Sequence, residues 1–172
     1  VNYNPFFHYL MELKDYVNKK RYGNTLGFTV NDLKSRWDNF FNNLNNTSLL
    51  IKNVKFTEAQ FFQMEINNNI VLMGKTDSDI EGLVNEITLI GTGNGTIESG
   101  ANIILSIGAL VFVVNPYKDV IFRKKIIDNL GILNNEIINL NNTVIVDDLK
   151  YSLKYSQQLG LWLTVSRLML RN

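Results

Sequence analysis

The chain has 172 residues, 45% of them hydrophobic and 19% charged, with a formal net charge of +1. This is the composition of an ordinary globular domain, long enough to bury roughly 70% of its unfolded surface without staples. The balanced charge argues against a protein built around nucleic acid. The absence of cysteine and the single histidine, His8, exclude disulfides, cysteine nucleophiles and the usual nitrogen- and sulfur-ligated zinc sites.

The first helix is predicted from Phe6 to Lys19, where Phe6, Leu10, Leu13 and Val17 recur at helical spacing. Lys14, Lys19, Lys20 and Arg21 make its far end basic, and Gly23-Asn24 stops it. Residues 1–24 are therefore expected to form an N-terminal helix or linker, and residues 25–172 a single domain. A second helix opens at Thr29 or Asn31; Thr29 is a good N-cap, and Leu33, Trp37, Phe40, Phe41 and Leu44 form its apolar stripe.

The period then changes. Leu50–Phe56, Ala59–Ile66, Ile70–Gly74 and Val84–Ile90 read as short strands of a meander with polar turns. After the loop Gly91-Thr92-Gly93-Asn94-Gly95-Thr96, a helix near residues 98–114 is apolar nearly all round and is expected to lie centrally. Its strongest apolar run, Ala101–Val114, is too short to span a membrane, and Asn115-Pro116 ends it. Val120–Leu130 is a further helix, stopped by Gly131. Val144–Val146, Leu149–Tyr155 and Leu161–Leu168 follow as strands, the last two forming a hairpin across Gln157–Gly160. Runs of strands separated by helices predict an α+β fold: an antiparallel sheet, its meander strands in two groups, packed against several helices. The order helix-then-meander occurs twice, an echo of element order only.

Four clusters carry candidate chemistry. Gly91, Gly93 and Gly95 lie between a strand and a helix, where backbone N–H groups cradle phosphates. The spacing departs from the dinucleotide fingerprint, no lysine follows, and Asn94-Gly95 is a turn signal in its own right. Asp77, Asp79 and Glu81, followed by Gly82, resemble the opening of a calcium-binding loop, but the twelfth position is Thr88 and the flanks are strands. Lys118, Arg123, Lys124 and Lys125 read as a solvated helix face, with Val120, Ile121, Ile126 and Ile127 interleaved as a core stripe. Finally, Leu161-Trp162-Leu163 puts Trp162 opposite two leucines, so inward leucines turn Trp162 outward, beside Tyr151 or Tyr155, as a contact site.

The 25 asparagines, against three alanines, fit the codon bias of an AT-rich bacterium. The lack of cysteine suits an exported chain, and the start at Val1 is consistent with an anchor or signal lying upstream. The reading that follows is a non-catalytic binding or interaction domain, of the cell envelope or extracellular space, without a cofactor, taking a protein partner or small ligand. The alternatives are a nucleotide-binding enzyme or switch using residues 91–96, and a structural or oligomeric protein docking through its N-terminal helix.

Overall fold

The computed structural model describes residues 5–6, 9–14, 23–58, 60–78, 82–134 and 139–168. It is an α+β fold. Three α-helices, α1 (Val30–Asn43), α2 (Ile97–Val114) and α3 (Val120–Leu130), accompany seven strands: β1 (Asn53–Phe56), β2 (Phe61–Asn67), β3 (Ile70–Thr76), β4 (Val84–Gly91), β5 (Asn141–Val146), β6 (Leu149–Ser156) and β7 (Gly160–Arg167). A short 3-10 turn, Thr47–Leu49, links α1 to the sheet. Residues 5–6 and 9–14 are also helical, with Tyr9, Leu10, Met11 and Leu13 exposed. The rest of the predicted first helix, with His8, lies outside the described residues.

The seven strands make one antiparallel sheet in the order β1-β2-β3-β4-β7-β6-β5. Each predicted group of strands is a meander. The two meanders approach each other, and their last strands, β4 and β7, pair at the seam with Leu89 opposite Leu163. Two-residue and short polar turns set the register. Asp147 and Asp148 both take positive φ, 49° and 64°, between β5 and β6, the geometry whose twist matches a hairpin.

Helices α1, α2 and α3 cover the same face of the sheet. Alternation along each strand sends Met64, Leu72, Leu89, Leu163 and Leu153 into this core, where none has measurable exposure. Helix α1 is fastened at its start by a reciprocal box, the Thr29 side chain accepting from Asp32 N and the Asp32 carboxylate accepting from Thr29 N. The same hydrogen bonds hold the Asp32 pKa below the usual carboxylate value. The helix buries Val30, Leu33, Trp37 and Phe41. Leu44, expected in that stripe, is instead the C-cap residue and is exposed, because the helix has ended before the stripe comes round again.

Helix α2 is the apolar centre, but only its second half is sandwiched. By length and composition, with a mean hydropathy of 2.0 over 18 residues, it could cross a membrane, yet 44% of that window is buried within the fold. Arg36 of α1 donates to Val113 O at 3.0 Å, and Phe40 lies 5.4 Å from Phe112, ring centre to ring centre. Towards the N-terminus Ile97, Ile104 and Leu105 are exposed. In α3 the inward stripe is Phe122, Ile126, Leu130 with Ile127, whereas Val120 and Ile121, expected to be core, point to solvent. The spacing i, i+4, i+8 from Phe122 defines that face and leaves the first turn outside it.

One buried polar pair crosses the core. The Asn115 side-chain amide donates to Tyr151 Oη at 2.7 Å and to Val111 O at 2.9 Å, tying the end of α2 to the middle of β6. Burial pushes the Tyr151 pKa up to about 12, against a smaller lowering by the Asn115 hydrogen bond. The raised folded-state value means that the neutral phenol is the form the fold favours. Its contribution is complete below pH ~10 and is lost as pH rises towards about 12. A two-unit shift corresponds to about 2–3 kcal/mol. Chemical denaturation between pH 9 and 12 should show that loss in the native chain and a shallower loss in Tyr151→Phe; equal slopes would remove Tyr151 from the account.

Candidate functional site

The face of the sheet opposite the helices has no covering layer among the described residues. Antiparallel sheets tolerate water on one face, and the side chains there are then mostly polar. Register places them in rows. One row runs Val71, Ile90, Trp162, Lys154, Asn141 across five strands; the next runs Met73, Thr88, Thr164, Ser152, Thr143; the third runs Lys75, Glu86, Ser166, Lys150, Ile145. The hydroxyls of Thr88 and Thr164 meet at 2.9 Å across the central seam.

On the β6–β7 side this face hollows into a groove of about 740 Å³. Its floor is Trp162, Thr164, Ser166, Ser152, Lys150 and Lys154, and its rim includes Glu86, Asn139, Asn141, Ser156 and Leu159. A second hollow of about 500 Å³ continues it past Glu86, Lys150 and Ser166 to Lys75, Arg167 and Asn24.

Trp162 is the one large ring on the groove floor. It is 38% exposed, whereas Trp37 has no exposure. The Trp162 indole N–H donates to Leu159 O at 3.0 Å, and Leu159 N donates to Ser156 Oγ at 2.9 Å. The turn Ser156–Gly160 therefore holds the ring in one orientation and uses its only polar atom, leaving the apolar face for contact.

The structure separates the three aromatics named from the sequence. Tyr151 lies opposite Val165 on the core face, fully buried, and so is not beside Trp162. An odd step along a strand inverts the side-chain direction, and by register Tyr151 and Trp162 have opposite parity. Tyr155 shares the parity of Tyr151, but at the fraying end of β6 it is half-buried and reaches the groove rim. The residues missed in the sequence are Lys150, Lys154, Ser152 and Thr164. Their signal was available: the lysines alternate with Leu149, Tyr151 and Leu153, so they leave the sheet on the solvent side.

The glycine loop lies beside the β6–β7 turn, against Gly160, and lines a hollow of about 540 Å³ with Tyr155, Gln157 and Gln158. Its own side chains cap the helix at Ser99 N and brace the loop before it. Thr96 Oγ1 accepts from Ser99 N, Ser99 Oγ accepts from Asn94 N, and Asn94 Oδ1 accepts from Thr96 N. Glu98 adds a negative charge in the first turn, which opposes a second anion there. Gly91 ends β4, where a Cβ would press on Ile103 at 2.9 Å; Gly93 has only Ser99 Oγ nearby, at 3.8 Å. Packing thus requires glycine at Gly91, a positive φ of 85° favours it at Gly95, and the turn caps itself.

Of the acidic loop, Asp79 and Glu81 lie outside the described residues, while Asp77 follows β3 and donates its N–H to Leu83 O. No cluster of three potential metal-ligating side chains occurs among the described residues. The basic group near α3 is largely engaged: Lys118 pairs with Asp147 at 2.9 Å, Lys124 with Asp128 at 2.5 Å, and Arg123 stacks on Phe112 at 5.1 Å. No family model matches the chain, and no curated protein or solved structure matches it either.

Proposed function

We propose that the chain is a non-catalytic binding domain and that the open sheet face, centred on Trp162, is its contact surface. The observation that carries this reading is the exposed, turn-anchored indole on the floor of a polar groove. A groove of this size lies within the range of ordinary ligand sites, and an aromatic fixed in place loses little entropy on contact. The freedom from cysteine fits an exported chain, as part of the same proposal.

A thermal-shift screen of the native chain and Trp162→Ala against saccharides, nucleotides, divalent cations and peptides tests it. A ligand at ~100 times its Kd adds roughly 2.7 kcal/mol of stability. The expected result is a ligand that raises the melting temperature of the native chain and does so far less for Trp162→Ala. A ligand that stabilises both proteins equally places the site elsewhere, and the glycine loop would be the next region to probe.

A further inference from the structure

Charge on this chain is not evenly spread, and its distribution narrows the ligand. The whole chain carries +1, but the groove and its continuation are lined by Lys75, Lys150 and Lys154 and, among carboxylates, by Glu86, while Arg167 beside them donates to Thr25 O. Four lysines elsewhere have carboxylate partners: Lys34 with Asp38, Lys55 with Glu65, Lys118 with Asp147 and Lys124 with Asp128. Lys150 and Lys154 have none among the described residues, and both are exposed. They stand four residues apart on β6, about 13 Å at the rise of an antiparallel strand. Two cations at that separation suit an elongated ligand with spaced negative charges better than a single compact anion.

The groove's other surfaces point to hydroxyl-rich rings. Between and beside the lysines lie Ser152, Thr164, Ser166 and Asn141, small donors and acceptors at the base of the groove. Trp162 offers a flat apolar surface with its N–H already used. A pyranose ring has an apolar face and a hydroxylated edge, and this floor presents partners for both. Single-stranded nucleic acid is the less suitable polyanion, because it needs an aromatic platform for each of several successive bases, and among the described residues the floor has Trp162 alone, with half-buried Tyr155 at the rim. We infer, building on the binding-face reading above, that the groove takes an acidic saccharide chain, with Trp162 stacking on a sugar ring while Lys150 and Lys154 neutralise its carboxylate or sulfate groups.

The test is affinity electrophoresis and calorimetry of the full chain with polygalacturonate, a sulfated glycan (heparin), neutral dextran and a single-stranded oligonucleotide. Each is repeated with Trp162→Ala and with Lys150→Gln/Lys154→Gln, whose positions are exposed and leave the fold intact as judged by circular dichroism. Saturable binding to polygalacturonate or heparin, about tenfold weaker in Trp162→Ala and weakened also in the double variant and by salt, supports the inference. Binding that depends on the lysines but not on Trp162 is simple ion exchange and overturns it. Tighter Trp162-dependent binding of dextran, or of the oligonucleotide, overturns the acidic-saccharide class while leaving the binding face standing. No binding of either acidic glycan overturns the class as well; the binding face itself then stands or falls on whether the thermal-shift screen finds a Trp162-dependent ligand.

Discussion

Trp37→Ala is expected to destabilise the fold by about 3–5 kcal/mol, the range for removing a large buried aromatic. The ring has no exposed surface, lies 5.3 Å from Phe41 between ring centres, and donates its indole N–H to Leu49 O at 2.8 Å. That carbonyl belongs to the turn that carries the chain from α1 into β1, so one side chain both fills the core and fastens the corner. Truncation leaves a cavity and an acceptor without its donor. Domains of this kind are stable by only about 5–15 kcal/mol, so urea denaturation should show a large drop in midpoint with an unchanged slope. Trp37→Phe should cost less, since most of the apolar volume stays. A loss under about 1 kcal/mol for Trp37→Ala would contradict the placement of α1 on the sheet.

The second large effect is expected at Gly160, the first residue of β7. Its φ is +76°, and a Cβ there would sit inside the contact distance of the Gly91 carbonyl oxygen, with Thr92 Cγ2 at 3.1 Å. Two penalties add: roughly 1–2 kcal/mol for a side chain in the left-handed region, and about 1–3 kcal/mol for forcing apart packed atoms. Gly160→Ala should therefore lose about 2–5 kcal/mol. Gly95→Ala is the control, because Gly95 has φ +85° but nothing within 4 Å of its missing Cβ. It should pay the conformational penalty alone. Equal losses in the two variants would mean that β4 and β7 do not approach as closely at Gly91 as the fold requires. Because Gly160 also closes the turn that holds Trp162, its alanine variant should lose groove binding along with stability.

Much of this architecture was legible in the sequence because it rests on periodicity. Thr29 as N-cap, Gly131 as C-cap and the bounds Val120–Leu130 follow from local hydrogen-bond and backbone demands, and the structure has them in place. The alternation Leu161-Trp162-Leu163 correctly separates a core face from an open one. What local pattern does not contain is pairing. That β4 meets β7 is a contact between residues seventy or more positions apart, and it decides which side chains of β3 and β4 share a row with Trp162. Tyr151 was grouped with Trp162 because both are aromatic and near in sequence, yet the register puts them on opposite faces. Lys150 and Lys154 were overlooked because isolated lysines in a strand look like ordinary solvation; only the rows show them converging on one groove. Helix α2 posed the same problem in reverse. Its composition is that of a wholly buried helix, but burial depends on neighbours, and the described helices flank only its second half.

The most direct test of the binding face is amide chemical-shift mapping of the ¹⁵N-labelled chain titrated with oligogalacturonate and, separately, with a nucleoside triphosphate. The account predicts that oligogalacturonate perturbs the amides of Lys150–Ser156 and Leu159–Ser166, together with the Trp162 indole N–H, and that the nucleotide perturbs no coherent site. Perturbations confined to Gly91–Thr96 and the start of α2, with the open face unchanged, would contradict it and return the function to the glycine loop.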